Sequence, residues 1–240
     1  TLSSGNMAQA VGYVANMFGV PSRAIMPNST PKSKIEACRR YGMEIILMPR
    51  EEIFDYLDNI PEDRCFLHPL EEYMLLDGHG TVGLEIMEDA PETDTIYVAL
   101  GVGFLGAGVA LAAKAFKPSV RVVGVNSVNY PHFYESIKQG KPVEVEHKLT
   151  LADGSAAVVT DHILRLIEEV IDDVVLIREE MIEESIRLLA MENKMVVEGS
   201  GALSLAAALS EDKRKRGNAA CILSGGSIDA EKLAHILGKK

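Results

Sequence analysis

Residues 95–108 read Thr95-Ile96-Tyr97-Val98-Ala99-Leu100-Gly101-Val102-Gly103-Phe104-Leu105-Gly106-Ala107-Gly108. An apolar run passes without interruption into a glycine-rich turn and then into small residues. Thr95–Leu100 reads as a strand, Leu105–Ala115 as a helix and Val120–Val125 as the next strand. Short, wholly apolar strands separated by helices imply a parallel sheet covered on both faces, a doubly wound α/β architecture. Ligands of such sheets sit beyond the carboxyl ends of the strands, and that is where the turn Gly101–Leu105 falls. Successive backbone N–H groups in such a turn, opening a helix, can cradle a phosphate. The turn lacks the Gly-Lys-Ser/Thr ending of a P-loop. It also lacks the glycine spacing of a dinucleotide fingerprint and the acidic residue at the end of the next strand. Close helix–strand packing is the bland alternative for these glycines.

The same alternation extends in both directions. Met7–Phe18 reads as a helix, with Ala8, Val11, Val14 and Ala15 on one stripe. Arg23–Met26 and Glu44–Met48 read as strands. Between them lies a Pro31–Tyr41 helix, with Thr30 as cap, Pro31 at its first position and Gly42 as its stop. Glu51–Leu57 reads as a short helix and Cys65–Leu67 as a strand ended by His68-Pro69. A Gly-His-Gly turn at residues 78–80 precedes a Gly80–Met87 helix. Pro131–Lys138, Thr160–Ile171, Arg178–Glu192 and Ala202–Leu209 read as helices, and Val174–Ile177 and Ala219–Leu223 as strands. The long irregular stretch Gln139–Val159 is a candidate functional loop.

Two further small-residue turns have the same character: Ser3-Ser4-Gly5-Asn6 before the first helix and Ser224-Gly225-Gly226-Ser227-Ile228-Asp229 after the last strand. Each is explained blandly by helix capping. Composition narrows the partners. A net charge of −11 over 240 residues argues against nucleic acid and anionic membrane surfaces. The basic run Lys213–Arg216 reads as a solvated turn. No apolar run reaches membrane-spanning length and no signal peptide is visible, so a cytoplasmic protein is expected. The three cysteines, Cys38, Cys65 and Cys221, have no metal-ligand spacing and are expected to be buried free thiols.

Taken in order, the motifs resemble those of the tryptophan-synthase-β-like (fold-type II) pyridoxal-phosphate enzymes, within them the threonine and serine dehydratases and serine racemases. The resemblance rests on Ser3-Ser4-Gly5-Asn6, on Thr30-Pro31-Lys32 with Ala37–Gly42, on His68-Pro69 and on Gly78–Glu85. It continues through Leu151-Ala152-Asp153-Gly154, Val197–Ala202 and Ser224-Gly225-Gly226. It implies a two-domain α/β architecture with parallel-rich sheets flanked by helices, the smaller domain at residues 1–65 and the larger, incomplete, at 66–240. It implies pyridoxal 5′-phosphate as cofactor and L-threonine or L-serine as substrate, converted to a 2-oxo acid and ammonia. By the same resemblance, Asn6 contacts the cofactor's phenolic oxygen and Ser4 is the acid–base on one face of the substrate. Gly101, Val102, Gly103, Phe104 and Leu105 cradle the phosphate, Gly154 and Glu198 line the ring, and Ser224 faces the pyridine nitrogen.

The departures generate expectations too. The family's Schiff-base lysine lies upstream of the Ser-Ser-Gly-Asn turn, so the chain is expected to be N-terminally truncated and inactive alone. Lys32, Lys34 and Lys194 are expected to face solvent. Met7 replaces a histidine. The cradle, usually four glycines, reads Gly-Val-Gly-Phe; a positive φ at Val102 or Phe104 would be strained, and Phe104 would crowd a phosphate. Racemase-like members bind a divalent cation with two acidic residues, and here those places hold Asn126 and His132, so no metal is expected. The alternative function is a catalytically inactive relative serving as a binding or assembly subunit. A homo-oligomer is expected in either case.

Overall fold

A computed structural model of the chain describes residues 1–3, 5–30, 32–57, 59–60, 65–68, 70, 72–146 and 148–239. The chain divides into two compact units, Thr1–Glu72 and Tyr73–Lys240.

The first unit contains α1 (Asn6–Met17), β1 (Arg23–Pro27), α2 (Lys32–Arg39), β2 (Glu44–Met48) and α3 (Ile53–Leu57). β1 and β2 pair in parallel, with Arg23 opposite Glu44 and Pro27 opposite Met48. Alternate residues of β1 serve opposite faces. Ala24 and Met26 pack with Ala8, Ile35, Cys38 and Met43, whereas Ile25 packs with Met48 and Ile53. The two strand starts are also tied by an Arg23–Glu44 ion pair at 2.7 Å. Two expectations fail here. Cys65–Leu67 is irregular backbone, not a strand; the Leu67 carbonyl accepts from the Thr1 hydroxyl at 2.9 Å instead of joining a ladder. The Thr30 hydroxyl caps nothing among the described residues and is buried without a partner there. Pro31 lies outside the described residues.

The second unit comprises α4 (Met74–Asp89), β3 (Thr95–Ala99), α5 (Phe104–Phe116), β4 (Arg121–Ser127), α6 (His132–Gln139) and α7 (Asp161–Val170). It continues with β5 (Asp173–Ile177), α8 (Glu179–Met191), α9 (Gly199–Ser210), α10 (Lys213–Arg216), β6 (Ala219–Cys221) and α11 (Ala230–Gly238). The strands form one parallel sheet in the order β5-β4-β3-β6. β3 is buried at every position, and its side chains alternate between two cores. Ile96 and Val98 join Met87, Ala107, Ala110, Phe133, Ile163 and Ile167 on one face. Tyr97 and Ala99 join Ile182, Ile186, Ala202, Leu203, Ala206 and Ile236 on the other. The sheet is therefore covered on both sides, as the apolar runs require.

One helix is longer than its sequence suggests. α4 begins at Met74 and runs straight through Gly78 and Gly80, residues that read locally as a turn. The reason is its packing against α5. A Cβ at Gly83 would stand 2.5 Å from the Val109 carbonyl oxygen, and one at Gly108 would stand 2.6 Å from that of Leu76. Only glycine permits this approach, so the loss of helix propensity is offset by close packing along the α4–α5 seam. The basic run forms the single turn α10, capped by the Asp212 carboxylate on the Arg214 N–H at 2.8 Å.

Candidate functional site

The carboxyl end of β3 is shaped by Leu100. Its side chain is fully buried and wedged between two glycines: a Cβ at Gly124 would stand 2.3 Å from it and one at Gly106 2.5 Å. The chain then turns through Gly101, Val102 and Gly103 into α5. Gly103 carries the turn's positive φ, +106°. A Cβ there would meet Ile163 at 2.8 Å and Phe133 at 2.9 Å. Among the described residues no described acceptor takes a hydrogen bond from the N–H groups of Gly101 to Gly106; the first helical bond runs from Ala107 N to Gly103 O at 2.9 Å. A set of unpaired N–H groups at the start of a helix, with the helix dipole behind it, suits an anion.

The expected strain at Val102 and Phe104 is absent, because Lys194 is the one non-glycine residue with positive φ among the described residues. Phe104 does not crowd the turn. It is buried in the core, its ring edge-on to Tyr73 with centroids 6.2 Å apart. Val102 packs partly buried against the same core. As the first residue of α5, Phe104 sends its side chain inward while its N–H remains at the turn.

The wall beside Gly101 is the loop containing Asp153–Ser155. A Cβ at Gly101 would stand 3.3 Å from Ser155 Cα, and one at Gly154 would stand 3.1 Å from Ser200 Oγ and 3.7 Å from Glu198 Oε1. Glu198 and Ser200 are both buried at the start of α9, and the Ser200 hydroxyl has no partner among the described residues. The Glu198 N–H donates to the Gly225 carbonyl at 3.0 Å. This brings the strand-end segment Ser224-Gly225-Gly226 alongside, with Ser224 itself exposed. The structure thus gathers Gly101–Leu105, Gly154, Glu198 and the segment of Ser224 around the carboxyl ends of β3 and β6.

The remaining sequence-predicted residues belong to the other unit. Asn6 is the exposed first residue of α1. Gly5, just before it, donates its N–H to Ser3 Oγ at 3.2 Å. Ser4 lies outside the described residues. Lys32 and Lys194 are exposed.

Sequence reasoning missed the residues that hold this site in shape. Glu179, first residue of α8, accepts from Thr150 Oγ1 at 2.7 Å, from the Leu151 N–H at 2.7 Å and from the Ser127 hydroxyl. Asn126 and His132, read only as places lacking acids, reach the backbone of the turn itself. His132 is buried, which lowers its pKa, and hydrogen bonds to the Gly101 and Tyr130 carbonyls oppose that shift. An acidic residue opening a helix and a histidine just after a strand were the available signals, but neither names its partner.

A glycine turn with unpaired N–H groups, bare backbone at Gly101 and Gly154, and a hydroxyl at the end of β6 fit a flat, phosphate-bearing cofactor. The family comparison agrees: residues 1–225 match the model of the pyridoxal-phosphate dependent enzymes, and the chain belongs to that family. More particularly, it is 38% identical to an L-threonine ammonia-lyase of Geobacter sulfurreducens over 243 residues, covering 99% of this chain and 60% of that protein. It is 35% identical to the catabolic L-threonine dehydratase TdcB of Escherichia coli, covering 98% of this chain and 74% of the relative. The structure is similar to that of maize serine racemase, with a TM-score of 0.90 and 32% identity over 98% of this chain and 74% of that one. The chain therefore spans about 60% of the length of the ammonia-lyase it matches.

Proposed function

We propose that the protein carrying this chain is a pyridoxal-phosphate-dependent ammonia-lyase that converts L-threonine or L-serine to a 2-oxo acid and ammonia. The observation that carries the reading is the Gly101–Leu105 turn, whose unpaired N–H groups open α5 beside Gly154, Glu198 and Ser224. The names of the two relatives, one an ammonia-lyase and one a dehydratase, both of threonine, support the choice of substrate.

In this reading the N–H groups of the turn and the dipole of α5 hold the phosphate. Gly154 and Glu198 border the ring, and the Ser224 hydroxyl faces its nitrogen. Asn6 hydrogen-bonds the phenolic oxygen, and Ser4 moves a proton at the substrate Cα. When bound, the cofactor supplies the electron sink for bonds broken at that carbon. The smaller domain is built on the first unit and the larger on the second. Val102 and Phe104 no longer speak for a non-binding relative, since neither is strained and Phe104 lies in the core.

Mixing the intact protein with pyridoxal 5′-phosphate should produce a new cofactor absorbance band, and L-threonine or L-serine should then yield 2-oxo acid and ammonia. Absence of both band and product would overturn the proposal. A band without product would favour the binding-subunit alternative. Self-association belongs to the same reading, supported by the exposed Tyr13, Met17, Phe18 and Val20 of the first unit. A monomer in light scattering would refute that part.

A further inference from the structure

Two consecutive carbonyls leaving β3 are held by side chains of β4 and α6. Asn126 Nδ2 donates to Leu100 O at 2.9 Å and to Val125 O at 3.3 Å. Its Oδ1 accepts from the N–H groups of Phe133 at 3.1 Å and Tyr134 at 3.3 Å, which open α6. His132 Nε2 lies 2.8 Å from Gly101 O, while its Nδ1 lies 3.1 Å from Tyr130 O. Both ring nitrogens face carbonyl acceptors, and with a proton on Nε2 the ring donates to Gly101 O. Both side chains are buried, Asn126 at 0% and His132 at 2% exposure, so neither is free to turn away.

In a trans peptide the carbonyl and the following N–H point in opposite directions, and no cis peptide occurs among the described residues. A donor fixed on Leu100 O therefore sets the direction of the Gly101 N–H. A donor fixed on Gly101 O sets that of the Val102 N–H. Neither N–H has an acceptor among the described residues. Glycine backbone on either side of Val102 has wide conformational freedom, and an unrestrained turn would have to be ordered whenever a ligand bound. Holding its peptide planes beforehand reduces that cost.

We propose that Asn126 and His132 are positioning residues for a phosphate-bearing ligand, acting through the carbonyls of Leu100 and Gly101 to aim the Gly101 and Val102 N–H groups. This inference rests on the reading of residues 101–105 as a phosphate cradle. A purely structural role would damage the protein without regard to the phosphate. A positioning role damages recognition of the phosphate selectively.

The test compares dissociation constants of the intact protein for pyridoxal 5′-phosphate and for pyridoxal, which lacks the phosphate, in the parent protein and in His132→Phe, His132→Gln and Asn126→Ser. His132→Phe should weaken binding of the phosphorylated ligand roughly tenfold, the size expected for disturbing one well-aligned hydrogen bond to backbone at the site. Pyridoxal should change by less than about twofold, and His132→Gln, which keeps an amide donor, should recover most of the loss. An unchanged preference for the phosphorylated ligand, or equal losses for both ligands, would overturn the inference while leaving the cradle intact. A parent protein with no such preference would overturn the cradle reading and this inference with it. Should His132→Phe fail to fold, Asn126→Ser makes the same comparison: a reduced preference supports the proposal, and an unchanged one sinks it.

Discussion

The carbonyl oxygen of Leu151 lies only 2.0 Å from where a Cβ on Gly199 would stand. The N–H of the same Leu151 is held by the Glu179 carboxylate at 2.7 Å. The loop that carries Gly154 is thus fixed by the first residues of α8 and α9, and its placement beside Ser200 depends on the absence of one side-chain carbon.

Gly199→Ala should force the loop off α9, because backbone offers no flexible end that could yield. Overpacking of this kind costs about 2 kcal/mol. Urea unfolding should show that loss, and binding of pyridoxal 5′-phosphate should weaken in parallel as Gly154 shifts. A variant as stable as the parent would show that Leu151 moves freely.

Gly103→Ala should be damaging for two separate reasons. The φ of +106° disfavours any L side chain, at a cost of about 1–2 kcal/mol, and the added carbon would stand 2.8 Å from Ile163 and 2.9 Å from Phe133. Phosphate recognition should suffer beyond stability, since the first N–H groups of α5 follow this residue. Comparing pyridoxal 5′-phosphate with pyridoxal separates the two effects, and an equal loss for both would argue against a cradle.

At the other end of the sheet, Glu211 accepts from Arg121 Nη1 at 2.7 Å and Nη2 at 2.9 Å, and from the Tyr97 hydroxyl; Lys215 Nζ lies 2.8 Å away. The Arg121 hydrogen bonds, ahead of those from Lys215 and Tyr97, hold the Glu211 carboxyl at about 2, against the usual 4.5. Its folded-state pKa is depressed, so its contribution to stability is present in full above pH 4.5 and is lost as pH falls toward 2. Glu211→Gln should therefore be less stable at neutral pH, by about 2 kcal/mol. Its unfolding free energy should fall less steeply than the parent's across that acid window. Parallel pH profiles in urea titrations would contradict this assignment.

The cysteines should separate by reactivity. Cys38 is buried, and burial pushes the Cys221 thiol up to about 11, whereas Cys65 is exposed. The expectation of three buried thiols thus fails at Cys65. A thiol reagent at mildly alkaline pH should modify Cys65 rapidly, and Cys38 and Cys221 only after denaturation, because the thiolate is the reacting form. Mass mapping of the labelled peptides checks the order; early labelling of Cys221 would refute it.

Much of this architecture is readable from neighbouring residues. Thr95–Val125 reads as strand, turn, helix and strand because a buried parallel strand is an unbroken apolar run, and the turn announces itself in small residues. Other features mislead when read locally. Gly78-His79-Gly80 looks like a turn, yet it lies inside α4, whose Gly83 and the facing Gly108 let α4 and α5 approach. Phe104 looks like an obstacle in the cradle, yet the first turn of α5 sends it into the core beside Tyr73. Cys65–Leu67 looks like a strand but joins no ladder among the described residues.

By itself, then, the sequence determined the alternation of strands and helices, the parallel sheet, and the position of the glycine-rich turn at the carboxyl end of β3. These depend on periodicity and on residues adjacent in the chain. Only the tertiary structure decided that Asn126 and His132 grip the carbonyls of Leu100 and Gly101, that Glu179 and Gly199 hold the Leu151 loop, and that Glu211 closes on Arg121. Each of these pairs joins residues far apart in sequence, and a hydrogen bond or a close backbone approach is defined by distance and direction, which residue order alone does not carry.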